Sequence, residues 1–370
     1  MTFYRHFCER EDFQAGVITH EPAAAEQSYP SLILPSLPVF DRLTRTRGSR
    51  WVHGFDHLFG GRRVPPHVDR FVRSFQPDAI FTVAGAWSSM ARLAETVATR
   101  FQLPLIGSFN DWWYYNQIYH PVLHSALSRQ FLDFYQRCDL AICTSDGIQD
   151  AFESHRNSMV LYPTGASGLG HGAFASPSGR PLTVGFGGNL GDWYGGMIES
   201  LVRFVEERLP GEFQFRLFGS RPSWSNEFDE HVKQNGTFWG QVDFDTLSGA
   251  MRDCDILLLP MGFDAAIREI ESTSFKTKFL DYLTFEKPIV VWGPEYCSAV
   301  RTAREFDSAE VCLSENPSNM ANVLVQLKSD PDRQARLVIN SGLMYHDRFH
   351  PDRLHSQLVE RIKGLISCES

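Results

Sequence analysis

Ser274, Thr277, Lys278 and Asp281 are the residues whose types and spacing point most directly to chemistry. The spacing predicts a helix over 274–284, with two hydroxyls and an ammonium at its start. A helix start carries N–H groups without intrahelical partners and a partial positive charge, so it suits a phosphate. Asp281 follows one turn after Lys278, where a carboxylate can hold the hydroxyls of a sugar. Phosphate plus ribose is the footprint of a nucleotide.

A second candidate lies upstream. Val184-Gly-Phe-Gly-Gly-Asn-Leu-Gly-Asp-Trp-Tyr-Gly-Gly196 reads as a strand entering a glycine-rich turn and then a helix. Bare backbone at Gly188, Asn189 and Gly191 lets a diphosphate approach closely. The run does not fit GxGxxG in register, and a tight turn without a ligand explains it equally well. Arg221, after Phe218-Gly-Ser, and Gln241-Val242, after Gly240, sit in turns that follow further strand positions. In the first half, Asn110, Asp111, Trp112 and Trp113 follow an apolar run at Leu105–Ser108. The two indoles read either as a platform for a sugar ring or as packing under the next helix. Asp111 reads as a polar contact or as a helix N-cap. His120 and His124 are four apart, but Pro121 follows the first and no HExxH frame exists, so no metal is expected there. His346, His350 and His355 are expected to face solvent.

The elements that must position these residues alternate between short apolar runs and helical patterns. Strands are predicted at 15–19, 79–83, 105–108, 140–144 and 159–162, with helices at 88–100 and 122–137. Residues 166–181 are rich in glycine and serine, lack an apolar face and read as a linker. The alternation then restarts. Strands are expected at 182–186, 213–218, 256–259, 289–292 and 310–313, and helices at 197–209, 245–254, 274–284 and 317–328. Asn316 is the expected N-cap of the last, with Pro317 at its first position. Two such blocks imply an α/β protein of two doubly wound, Rossmann-like domains facing a cleft, 1–165 and 182–345. A final amphipathic helix within 346–370 is expected to pack across the junction. The first half lacks the opening strand and glycine-rich turn of a doubly wound unit, and a trimmed start is the expectation drawn from that.

Composition bounds the function. The 370 residues are 43% hydrophobic, enough for full cores. The net charge of -9 argues against a nucleic-acid binder, which would show a basic face. Seven cysteines form no CxxC pair, and Cys138, Cys143, Cys254 and Cys312 lie in or beside apolar segments, as buried reduced thiols do. Residues 1–10 lack the apolar core of a signal peptide. No apolar run approaches the roughly 20 residues that span a bilayer. A soluble cytoplasmic protein is expected, with peripheral contact at the inner face of a membrane left open.

Several of these pieces occur in a recognisable order: Gly187-Gly-Asn-Leu-Gly-Asp-Trp193, Phe218-Gly-Ser220, Gly240-Gln-Val242, Cys254-Asp-Ile-Leu-Leu-Leu-Pro-Met261, Ser274-Phe-Lys-Thr-Lys-Phe-Leu-Asp-Tyr282 and Lys287-Pro-Ile-Val290. The series resembles the C-terminal domain of GT-B glycosyltransferases, closest to the family-4 group. Gln76-Pro-Asp-Ala-Ile80 and Cys138-Asp-Leu-Ala-Ile-Cys-Thr-Ser145 resemble segments of the same fold's first domain. The likeness is strongest over 238–294 and weak before 70. Departures are specific. The family helix often carries two Glu residues separated by seven; those positions are Thr273 and Asp281 here. Lys276 replaces a common Pro, and Glu286 a common Gly. The basic pair that usually follows the first strand of the second domain is missing, with Trp193 and Tyr194 near its place. Asn110 takes the place of a His in the first domain.

The resemblance implies a glycosyltransferase that moves a sugar from a nucleotide-sugar donor to a glycan, lipid-linked or small-molecule acceptor, with retention of configuration. Lys278 would neutralise the leaving diphosphate, helped by Arg221 or Lys276. Asp281 would hold the ribose, and Gln241 and Val242 would read the base. Asn110 and Asp111 would act on the acceptor side with Trp112 and Trp113. No cofactor or metal is required if cations and a helix dipole meet the charge. The alternatives are a catalytically silent subunit that binds a nucleotide sugar, and a GT-B sugar-nucleotide epimerase.

Overall fold

The computed structural model describes all residues except 1–5, 8–9, 21–28, 36–41, 47, 85–87, 111–118, 165–179, 221 and 368–370. The chain divides into two compact units, Met1–Pro163 with Leu354–Ser370, and Thr164–Arg353. The expected linker and the residues Asp111, Trp112, Trp113 and Arg221 fall wholly or largely outside the described residues.

In the first unit, β1 (Val17–Thr19) and β2 (Ser31–Ile33) form a parallel pair. Helices α1 (Ser49–Phe59) and α2 (Pro66–Phe75) lead to a parallel sheet of β3 (Ile80–Val83), β4 (Leu105–Phe109), β5 (Leu140–Cys143) and β6 (Ser158–Val160), in that order. The crossovers are α3 (Ser89–Phe101), α4 (His124–Arg137) and α5 (Asp146–Ala151). Every residue of β4 and β5 is buried, as central parallel strands covered on both faces must be. Ser88 and Ser145 cap α3 and α5, accepting from Ala91 N and Ile148 N. Phe109, Phe131, Tyr135 and Phe152 pack edge to face under the sheet.

The second unit holds one parallel sheet of six strands: β7 (Leu182–Gly187), β8 (Phe213–Phe218), β9 (Phe238–Gly240), β10 (Ile256–Pro260), β11 (Ile289–Trp292) and β12 (Glu310–Cys312). Their spatial order is β12-β11-β10-β7-β8-β9. Counted from β7, this is the 3-2-1-4-5-6 order of a doubly wound nucleotide-binding sheet, whose direction of winding reverses between β7 and β10. Helices α6 (Gly195–Arg208), α7 (Asn226–Gln234), α8 (Phe244–Arg252), α9 (Arg268–Thr273), α10 (Thr277–Leu283), α11 (Ser298–Phe306), α12 (Pro317–Ser329) and α13 (Pro331–Met344) complete it. Asn316 caps α12 with Pro317 at the first position, as the sequence implies. Arg180 grips buried Asp255 through two 2.7 Å bonds, and Asp255 also accepts from Thr183 N, which locks the start of β7 to β10. Cys138, Cys143, Cys254 and Cys312 are buried free thiols.

The closing helix α14 (Pro351–Ser367) belongs, from Leu354 on, to the first unit. Arg361 donates to Ser158 O, and His355 Nε2 donates to Asp12 over 2.9 Å while its ring stacks on His6. His355 therefore does not face solvent as expected. It lies beside Leu354 and Leu358 on the buried side of the helix, and Asp12 satisfies its outer nitrogen. His346 is exposed and His350 partly so.

Candidate functional site

In open α/β sheets the ligand crevice lies beyond the carboxyl ends of the strands where the winding reverses. Here that point is flanked by the turn after β7 and the loops after β10, which carry the residues singled out above.

The turn after β7 is stitched to the turn after β8. Gly188 N donates to Phe218 O, Leu190 N to Ser220 O, and Ser223 N to Leu190 O. A Cβ on Gly219 would lie 1.8 Å from Gly188 O, so only glycine permits this approach. Asn189 is exposed, and its side-chain oxygen accepts from Gly191 N, which fixes the shape of the turn. Gly240 O accepts from Gly219 N, so Gln241 (exposed) and Val242 (partly buried) leave the next strand in line with the same edge.

The loop after β10 arrives from the other side. The sequence predicts one helix from 274; the structure has two short ones, α9 and α10, with a break at Ser274–Lys276. Ser274 N closes α9 on Ile270 O, and Ser274 O accepts from the Ser298 hydroxyl, which pulls the backbone out of helical geometry. Ser274 is buried and its main chain anchors the break, while Thr277 is exposed at the start of α10. Asp281 lies on α10 one turn beyond Lys278, partly exposed.

Lys278 and Gly188 are brought together most closely. A Cβ on Gly188 would meet Lys278 Nζ at 1.9 Å. The ammonium thus lies directly on the backbone of the glycine turn. It also stands 4.8 Å from the Phe186 ring centre and 5.6 Å from that of Tyr194. Burial, then the like charge of Lys276, lower its pKa to about 8, with Glu271 acting in the opposite direction.

Glu271 is the residue that sequence reasoning missed. It is fully buried, accepts from the Tyr194 hydroxyl at 2.8 Å and lies 3.1 Å from Lys276 Nζ. Gly262 N also points at it over 3.4 Å. It ties the loop after β10, the start of α6 and the break before α10 into one unit. Lys276, expected to share in phosphate neutralisation, is committed to this carboxylate and stands over Trp193. Tyr282 was also missed: its hydroxyl accepts from Gly187 N at 3.0 Å and pins α10 to the end of β7. The available signal was a carboxylate and a phenol at positions that the helical pattern turns inward. Trp193 and Tyr194, standing where the family's basic pair is expected, serve as faces for the two lysines.

In the first unit, Asn110 ends β4. Its side-chain oxygen accepts from Ser108 Oγ at 2.8 Å, and its carbonyl from Thr144 Oγ1 at 3.0 Å. His120 accepts from Val122 N and stacks on Trp51. Among the described residues no group of three His, Cys, Asp or Glu side chains could hold a metal.

A glycine turn and a lysine meet at the switch point of a 3-2-1-4-5-6 sheet in a Rossmann-like unit, one of two α/β units in the chain. Residues 5–165 match the family model of Glycosyltransferase Family 4, so the half with the fewest readable motifs carries the family signature. Across most of its length the chain is similar in structure to a sucrose-phosphate synthase from Thermosynechococcus elongatus, at 13% identity and a TM-score of 0.62 over 96% of this chain and 90% of that one. A glycosyltransferase from Rickettsia africae gives 11%, 0.63, 96% and 90%. HepE from Anabaena, in complex with UDP and glucose, gives 16%, 0.56, 92% and 88%. No curated protein sequence matches the chain. The fold is GT-B, and residues 5–165 are similar to Glycosyltransferase Family 4.

Proposed function

We propose that the chain transfers a sugar from a nucleotide-sugar donor, with its second unit binding the donor. The observation that carries this reading is the contact of Lys278 Nζ with the Gly188 turn at the end of β7. The turn offers backbone to a diphosphate, and the ammonium neutralises the charge that grows on the leaving nucleoside diphosphate. A positioned lysine supplies this charge without a metal. Asp281 holds the ribose, and backbone groups near Gln241 and Val242 read the base. The loop Met261–Asp264 borders the transferred sugar, and Asn110, Asp111, Trp112 and Trp113 serve the acceptor. Retention of configuration follows from the family resemblance. The acceptor is a glycan, a lipid-linked sugar or a small molecule.

Support comes from the family match in the first unit and from structural neighbours that include HepE in complex with UDP-glucose. The test is a thermal-shift series with nucleoside diphosphates and their sugars, followed by product analysis with a labelled donor. A rise in melting temperature with one nucleotide class, abolished by Lys278→Ala, together with labelled sugar on an added acceptor, is the expected result. Binding without any turnover would favour a silent subunit, and an epimerised nucleotide sugar would favour an epimerase. No shift with any nucleotide would sink the reading.

A further inference from the structure

Helix α1 carries three large aromatic side chains on one face and leaves them in solvent. Trp51, Phe55 and Phe59 follow each other at helical i, i+4 spacing and are 37%, 49% and 59% exposed. Their rings stack in series, at 5.8 Å and 6.2 Å between centroids. The opposite requirement, a buried face, is met by Gly54 and Leu58 of the same helix. Packing against the unit's own core therefore does not account for the stripe. Val122, in the turn whose His120 stacks on Trp51, is 70% exposed as well.

Exposed arginines flank the stripe at both ends. Arg42 and Arg45 lie in the segment before α1, Arg50 on its first turn, and Arg62 and Arg63 just past its end. Arg62 lies over the Phe59 ring at 5.3 Å. None of the five forms a salt bridge among the described residues, whereas Arg73, Arg100, Arg137 and Arg156 of the same unit are each closed by a carboxylate. Asp56, the acidic residue of α1, is turned to the Ser89 hydroxyl at 2.7 Å. In a chain of net charge -9, this is a local concentration of unneutralised positive charge around bare aromatic surface.

We propose that this face of α1 docks on an anionic lipid bilayer surface. A helix with Trp and Phe on one side and arginines around it is the composition that lies in the headgroup layer, with rings in the acyl boundary and cations on the phosphates. The chain has no described helix long and apolar enough to cross a membrane, so the contact is peripheral. The charge complementarity selects this occupant over the alternatives. A second copy would bring the same arginines against each other across a two-fold axis. A nucleic acid would meet a strongly acidic molecule outside this patch. The inference stands apart from the donor site, which lies in the other unit.

The test is co-sedimentation of the full chain with vesicles of phosphatidylcholine alone and of phosphatidylcholine mixed with phosphatidylglycerol. Binding to the mixed vesicles only, weakened by salt, is expected. Trp51→Ser/Phe55→Ser/Phe59→Ser and, separately, Arg62→Glu/Arg63→Glu lower that binding by about tenfold or more, with unchanged melting temperature and unchanged response to UDP. In vesicles with brominated acyl chains, quenching of tryptophan fluorescence is lost in Trp51→Phe although binding persists. Equal binding by the wild type and the triple variant, binding to neither vesicle, or a dimer dispersed by Phe55→Ser without lipid binding would each overturn the proposal.

Discussion

Lys278 Nζ occupies the position that the side chain of any larger residue at Gly188 would need, 1.9 Å from where its Cβ would stand. The turn and the lysine are therefore one device, made from segments about ninety residues apart in sequence but joined where the sheet reverses its winding.

Gly188→Ala should act as a lysine mutation at a distance. The methyl displaces the ammonium, and nucleoside diphosphate affinity falls by about 10- to 150-fold, the worth of one charged hydrogen bond of about 1.5–3 kcal/mol. Lys278→Met should give a loss of the same size, and the double variant little more than either. Titration calorimetry with UDP measures all three; additive losses would show that the two residues act separately.

Binding should depend on pH through the same group. Lys278 has its pKa lowered to about 8, so its ammonium is intact below that value and lost above it. Nucleotide affinity is expected to hold from pH 6 to 7 and fall as pH rises through about 8. The like charge of Lys276 lowers this pKa and Glu271 raises it, so Lys276→Met should move the midpoint up and Glu271→Gln should move it down. Shifts in the same direction would refute the assignment of the midpoint to Lys278.

Glu271 should matter to stability more than any exposed site residue. Removing it as Glu271→Ala leaves Tyr194 and Lys276 without their buried partner, at a cost of about 3–5 kcal/mol. Glu271→Gln keeps the hydrogen bond from Tyr194 and costs less. Urea unfolding of the two variants makes the comparison, and a loss under about 1 kcal/mol for the alanine variant would mean that the pair adds nothing.

Much of this architecture is legible in the sequence, for a physical reason. Strands covered on both faces leave unbroken apolar runs, and Ile256–Pro260, Ile289–Trp292 and Leu140–Cys143 stand within a residue of their predicted ends. Elements with little buried surface are not legible. Helix α7 buries only Phe228 and Val232, and β9 is a three-residue edge strand ending in glycine. The site divides the same way. Lys278 and the glycine turn follow from local pattern. The break that starts α10 at Thr277 does not, because it is set by the Ser298 hydroxyl, far along the chain. Glu271 was hidden for a related reason: a carboxylate in a short helix reads as surface until Tyr194 and Lys276 are seen to close on it.

Asp281→Ala should separate ribose from phosphate. If the carboxylate holds sugar hydroxyls, the variant loses affinity for UDP but not for inorganic pyrophosphate, and wild type and variant bind 2',3'-dideoxy nucleotide equally. Equal loss for UDP and pyrophosphate would place Asp281 outside the ribose contact.

Acid should loosen α14. Burial, the neighbouring His355 and Arg10 lower the pKa of His6 to about 4, while an unfolded histidine titrates near 6.5. The neutral form is favoured in the fold, so this contribution is complete above pH 6.5 and is lost as pH falls from 6.5 towards 4. Asp12 faces His355, and Lys363 faces the other carboxylate oxygen of Asp12. Amide exchange of Leu354–Ile362 should rise over that window, and His6→Phe should flatten the response. A flat profile in the wild type would mean that the stacked pair does not hold the helix.

The first unit is assembled from residues 1–163 and from 354 onward. During synthesis its sheet emerges early, yet the helix that carries His355 leaves the ribosome only after the entire second unit has been made. The half made first is therefore completed last, and Leu354, Leu358 and Ile362 are the last apolar face to be covered. A nascent chain that has exposed residues up to 353 but not those from 354 on holds an unfinished first unit beside a second one free to fold, which makes that interval the stage at which this protein most depends on protection from aggregation.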